Sequence, residues 1–185
     1  FRLSETGPGF NIDGYWANQW GFPSTDYFHT NSVHVRDGQL VLSSLAMSAL
    51  VAFNVDLDSE DFGDLLWTLS GWPGLPVLEG QLTHTLDILF RVQHHAEWTN
   101  DGQITLWDNG SLGFSRSLRI NIDTEEGKAT LDHTWPVEPS CLGQGSAFLM
   151  EGDHMLNTCA PKLKIYEVDE TGEEVAQTSF DCPSG

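Results

Sequence analysis

The chain has 185 residues, with 27 Asp and Glu against eight Lys and Arg, for a formal charge of −19. That balance argues against nucleic acid as a partner, because the phosphates would be repelled. No apolar run approaches the roughly 20 residues that a membrane-spanning helix needs, so no membrane span is expected, and the acidic charge fits a secreted, periplasmic or extracellular protein. The length suits one domain with a sizeable core. Ten Phe, seven Trp and scattered aliphatic residues fit an all-β protein. Phe1 is not an initiator Met and the residues after it do not read as a signal peptide, so a processed product or a fragment is expected.

Residues 1–28 are rich in aromatics and glycine and read as a partial blade or a connector. From there the chain repeats itself. Asp37-Gly38, Asp101-Gly102 and Glu151-Gly152 each open a strand: DGQLVLSS, DGQITLWD and EGDHMLNT. Downstream lie ALVAFNVD, RSLRINID and KLKIYEVD, each followed by an acidic, glycine-containing turn and a further strand. Upstream, NSVHV, HAEWT and GSAFL take the first-strand position. Apolar residues alternate with others in these runs, the period of half-buried strands, and the DG turns accept the positive φ of tight hairpins. Four strands per unit, recurring at this spacing, predicts β-propeller blades over residues 29–70, 92–136 and 144–180 within one domain spanning 1–185. Propellers close with about four to eight blades, so the chain is expected to form half of a six-bladed ring. The other half would come from a missing N-terminal segment, another chain or self-association.

Residues 71–91 interrupt the repeats. Prolines and glycines keep the first part irregular, and THTLDILFR reads as a strand; the segment is either an inter-blade connector or a loop over the channel mouth. Cys141 and Cys159 flank the two innermost strands of the third unit and can pair in an oxidising compartment, leaving Cys182 free or paired with another chain; three buried thiols are the alternative.

In a propeller the first strand of each blade lines the channel. Aligned repeats put Asn31, His95 and Gly145 in one ring, with Thr30, His94 and Gln144 beside them and His29 close by. Imidazoles with an arginine at a channel mouth can bind an anion and carry acid–base or nucleophilic chemistry; alternatively, these residues only satisfy backbone groups at the starts of strands. Arg116 likewise is either a ligand clamp or a structural ion pair. Trp67, Trp107 and Trp135 fall at core positions. Asp56, Asp58 and Glu60 alternate in an acidic turn like calcium ligands, but without a clear bidentate Glu at its end; no other cofactor is expected.

FHTNSV, LLWTLSG, HHA, GQITLWDNG, SRSLRINID and GSAFLMEGDHML occur in the order in which they stand in the arylsulfotransferase family, which this chain resembles over most of residues 27–175. The resemblance implies a six-bladed propeller that passes a sulfuryl group from an aryl sulfate to a phenol through a sulfated histidine. It implies catalytic roles for His29, His94, His95 and Arg116, the histidines polarising sulfate oxygens and Arg116 clamping the sulfate. Asn31, Asn109 and Gln144 are the substrate-binding candidates. The family's late nucleophilic histidine has no motif-supported counterpart: Gln144-Gly145-Ser146 holds that ring position, and His34, His84, His133 and His154 lack a supporting pattern. A non-catalytic extracellular binding or assembly module is therefore the second expectation.

Overall fold

A computed structural model describes residues 28–72, 78–110, 113–137, 141 and 143–181. Among them the fold is all-β: twelve strands in three antiparallel four-stranded sheets, arranged as propeller blades. Blade 1 comprises β1 (Thr30–Arg36), β2 (Gln39–Ser44), β3 (Ala49–Asn54) and β4 (Leu65–Ser70). Blade 2 comprises β5 (His94–Trp98), β6 (Ile104–Asp108), β7 (Arg116–Asp123) and β8 (Lys128–Pro136). Blade 3 comprises β9 (Gly145–Leu149), β10 (Met155–Cys159), β11 (Lys164–Val168) and β12 (Glu174–Ser179). Residues 1–27 and Cys182 lie outside the described residues. No described helix is long and apolar enough to cross a membrane.

The turns follow from local chemistry. Asp37 and Gly38 both have positive φ, 47° and 74°, and join Arg36 to its partner Gln39, as a type I′ hairpin demands. β6 is buried on both faces, so its alternation sorts side chains between two cores. Ile104 and Leu106 join Val41, Leu50, Trp67 and Leu69 between blades 1 and 2. Trp107 joins Trp135, Ala147, Met155 and Val168 between blades 2 and 3. The three tryptophans read as core, Trp67, Trp107 and Trp135, are at most 1 % exposed.

The connector into blade 2 differs from expectation. Its described part forms no strand over 83–91 and makes one turn of 3-10 helix at Leu86–Ile88. Leu82, Ile88 and Phe90 are buried in the first core, and Phe90 packs where a side chain at Gly71 would stand. Its described part is a wedge between blades; residues 73–77 lie outside the described residues.

Polar side chains stitch blade 1 to blade 2. The backbone of β5 pairs with β6 on one edge only. On the other edge, Ser32 Oγ accepts from Ala96 N (2.9 Å) and donates to Ala96 O (3.3 Å). His34 Nδ1 accepts from Trp98 N (2.7 Å), and Arg36 donates to the carbonyls of Thr99 and Asn100. Val33 and Val35, alternating with these residues, are the exposed ones.

Replacing His34 with Leu should leave Trp98 N–H buried without an acceptor and lower unfolding stability by about 1–3 kcal/mol, read by urea titration. At the other seam, a Cβ on Gly145 would stand 2.5 Å from the Trp107 ring and 2.7 Å from Thr158 O. Gly145→Ala should therefore cost about 1–3 kcal/mol and shift tryptophan fluorescence; an unchanged midpoint would contradict this packing.

Candidate functional site

The starts of β1, β5 and β9 gather at one mouth of the blade stack, as the contacts of Asn31 with Gln93 O and of His95 with Ala147 O show. Two of these starts are irregular. The register of β1 shifts between Thr30 and Ser32, around Asn31, and that of β5 shifts between His94 and Glu97, around His95. Bulges of this kind re-aim side chains and recur beside functional sites. Around them, His29, Val92 and His95 have φ of 44°, 55° and 50°, a left-handed conformation that is uncommon for residues with a Cβ and an outlier for a β-branched one.

His94 is half-buried. Its Nδ1 lies 2.7 Å from Asn109 Oδ1 and 3.0 Å from Val92 O. A backbone carbonyl only accepts, so the proton belongs on Nδ1 and Nε2 carries the lone pair. His95 repeats the arrangement: its Nδ1 lies 3.0 Å from Ala147 O in blade 3, so its Nε2 is bare as well. That Nε2 is 3.9 Å from the Glu97 carboxylate, and the ring packs on Phe148 with centroids 4.3 Å apart. Burial holds both imidazoles below the ordinary histidine pKa, against the opposing effect of Asn109 and Val92 O on His94 and of Ala147 O on His95. A smaller contribution at His94 comes from His29, which places these two rings near each other. Burial also pushes the Glu97 carboxyl up. The arrangement offers two neutral imidazoles with unprotonated Nε2 atoms, suited to accepting a proton or attacking an electrophile. In that state neither can donate from Nε2 to a sulfate oxygen, which is the role first expected of them.

Arg116 stands at the same end of blade 2 as His94, two strands outward, but its side chain is withdrawn into the protein. It is 5 % exposed; Nε donates to Asp108 Oδ2 (3.2 Å) and Nη2 to the carbonyls of Asp87 (3.2 Å) and Leu89 (2.5 Å). Asp108 Oδ1 in turn accepts from Arg91 N (3.1 Å). The pair therefore fastens the connector that leads into His94 and His95, and the clamp reading gives way to a structural one. Asn109 is also withdrawn from substrate: it is 3 % exposed, with Oδ1 toward His94 and Nδ2 donating to Cys141 O (3.0 Å). Asn31 Nδ2 donates to Gln93 O (2.6 Å), which commits it to the blade seam. Gln144 is exposed, its carbonyl accepting from Ala160 N.

The acidic turn is held by its own side chains. Asp56 Oδ1 accepts from Asp58 N and Asn54 Oδ1 from Asp56 N, so these side chains serve the turn itself, and no group of three or more His, Cys, Asp or Glu among the described residues could hold a metal ion. His133 lies on the outer strand against Trp135, and His154 pairs with Glu167. Cys141 and Cys159 form a disulfide. Two contributors had weak sequence signals. Gln93, wholly buried, donates into blade 1 at Ser43, Ser44 and Ala49. Ser115 exchanges two hydrogen bonds with the Cys141 backbone. Only their positions beside HHA and Arg116 hinted at a role.

Removing one partner of a buried ion pair strands the other, so Arg116→Met should cost about 3–5 kcal/mol in urea unfolding; a full-stability variant would contradict the structural role. The depressed histidines give a pH prediction. The unfolded chain binds their protons near the ordinary pKa and the folded chain only at lower pH, so their stabilising contribution is present above pH about 6.5 and is lost as pH falls through the lower, folded values. Stability should drop on going from about pH 7 to about pH 5, and the drop should shrink in the His94→Gln, His95→Gln double variant.

The Arylsulfotransferase (ASST) family model matches residues 16–181. No curated protein has a sequence matching this one. Among solved structures, a Bacteroides caccae protein of unknown function is similar at 14 % identity and TM-score 0.53, covering 86 % of this chain and 49 % of its own. A virginiamycin B lyase from Staphylococcus aureus is 13 % identical at TM-score 0.43, covering 86 % of this chain and 58 % of its own. The chain thus spans about half the length of these structures. With bulged histidines at the mouth of propeller blades and a family match over nearly its whole length, the chain belongs to the arylsulfotransferase family.

Proposed function

We propose that the chain forms the histidine-bearing half of a propeller that transfers a sulfuryl group from an aryl sulfate to a phenol, with His94 Nε2 as the group that takes the sulfuryl. The observation that carries this reading is the hydrogen bonding of His94, which protonates Nδ1 and bares Nε2 on a neutral ring. In the first half-reaction Nε2 attacks sulfur. An N–S bond forms, the S–O bond to the aryl group breaks, and the aryl oxygen leaves with the electron pair as phenolate. Asn109 Oδ1 and Val92 O stabilise the positive charge that develops on the ring. In the second, the acceptor phenol oxygen attacks sulfur, the N–S electrons return to Nε2, and the phenol proton passes to His95 Nε2. His95 returns that proton to the next departing phenolate. Arg116 being committed to Asp108, donors for the sulfate oxygens would come from the blades that complete the ring, supplied by further polypeptide, a partner chain or a second copy. The disulfide supports a location in an oxidising, extracytoplasmic compartment.

The second reading, a non-catalytic binding module, is favoured by the burial of Arg116 and by the absence of histidine at Gln144-Gly145-Ser146. One experiment separates the two. The assembled protein incubated with 4-nitrophenyl sulfate should release the phenol and gain a sulfuryl-sized mass that disappears on adding a second phenol. His94→Gln should abolish the adduct, and His95→Gln should slow turnover by about 10²–10⁴-fold. No adduct and no phenol release, with the ring shown complete by native mass, would leave the binding module.

A further inference from the structure

The Cys141–Cys159 disulfide and the His94 imidazole are joined by an unbroken chain of contacts. Cys159 ends β10, whereas Cys141 stands in the connector between β8 and β9, outside any strand ladder. Its backbone is fixed by the disulfide and by Ser115, whose Oγ donates to Cys141 O (2.7 Å) and accepts from Cys141 N (2.8 Å). Cys141 O then accepts from Asn109 Nδ2 (3.0 Å). An amide side chain is nearly symmetric in shape but opposite in polarity at its two ends. The Cys141 carbonyl breaks that symmetry: it only accepts, so it takes the NH₂ end and turns Oδ1 toward His94 Nδ1 (2.7 Å). A flipped Asn109 would offer NH₂ to Nδ1, oppose the Nδ1–H form and favour a proton on Nε2, the atom that the proposed transfer needs bare.

We infer that Asn109 is a positioning residue for His94, acting beside Val92 O, and that the Cys141–Cys159 disulfide biases the imidazole's tautomer through it. The inference rests on the proposed role of His94 for its consequence but not for its geometry. Reduction by a dithiol delivers two electrons and two protons to the S–S bond, giving two thiols as the dithiol closes to its own disulfide. The Cys141 carbonyl then loses its tether to β10 and is held by Ser115 alone, which loosens its hold on Asn109.

The test is a long-range ¹H–¹⁵N spectrum of the assembled protein labelled at histidine, with His94 assigned from the His94→Gln variant. His34 is the internal control: Trp98 N–H donates to its Nδ1, so its proton sits on Nε2, and this pattern should persist while the seam between blades 1 and 2 is intact. In the oxidised wild type His94 should carry its proton on Nδ1. Asn109→Ala, and separately the wild type reduced with dithiothreitol, should shift that pattern to a mixture with Nε2–H, Val92 O alone then favouring Nδ1–H. Asn109→Asp, which turns an oxygen to His94 in either orientation, should keep it. An Nε2–H signal in the oxidised wild type, or a pattern unmoved by both Asn109→Ala and reduction, overturns the inference. If those two conditions also disturb His34, oxidised Asn109→Asp decides: Nδ1–H retained supports the relay, and its loss overturns it. Absence of phenol release alongside the expected tautomer pattern would remove the sulfuryl-transfer reading and leave the relay standing.

Discussion

The innermost strand of a propeller blade has a free edge, and the structure depends on how that edge is satisfied. β5 pairs with β6 alone, yet buried backbone groups left without partners cost free energy comparable to a lost hydrogen bond. Blade 1 meets this need with side chains: Ser32, His34 and Arg36 take up the free N–H and C=O groups of Ala96 to Asn100, and Gln93 reaches back into blade 1 from the other side. These contacts fix the angle and height of one blade against the next. They therefore decide that the start of β5 meets the start of β1. His95 makes the next such contact, to Ala147 in blade 3, so a candidate functional residue is also a seam residue.

Part of the backbone strain of the described residues lies at the same place. His29, Val92 and His95 hold positive φ, each at a cost on the order of 1–3 kcal/mol. The surroundings over-determine them: Arg116 and Asp108 fasten residues 87–91 just upstream, and Val92 O is engaged by His94 Nδ1. The motif Asp108-Asn109-Gly110 followed by Ser115-Arg116 is thus a bracket around the histidines. Asp108 holds Arg116 and the connector, Asn109 holds His94, and Ser115 holds Cys141.

Much of this architecture was legible in the sequence, and the parts that were not share a cause. Strands and turns are written in local periodicity and in DG pairs, and the repeat of Asp37-Gly38, Asp101-Gly102 and Glu151-Gly152 exposes the blades. What periodicity cannot say is which face of a strand meets a neighbour. In β1 the polar residues face the next blade and Val33 and Val35 face out, the reverse of the usual assignment, because the neighbour presents backbone rather than apolar side chains. Arg116 reads in the sequence as either a ligand clamp or a structural ion pair; the hairpin register that sets Asp108 opposite it supplies the buried carboxylate. Residues 83–91 alternate like a strand, but only Thr83 bridges a sheet edge, at Lys128 of β8, and Ile88 and Phe90 are drawn into the core between blades. Tautomers are the least legible of all, since they rest on carbonyls at Val92 and Ala147 that the sequence does not distinguish from any others.

The central claim is that the reacting centre meets His94 Nε2 and not Arg116. A crystal structure of the assembled protein with a non-transferable aryl sulfate analogue tests it most directly. The account predicts the sulfur in line with His94 Nε2 at about 3–3.5 Å, with Arg116 still bound to Asp108. A sulfate group held by Arg116, or an analogue seated away from the starts of β1 and β5, would contradict it.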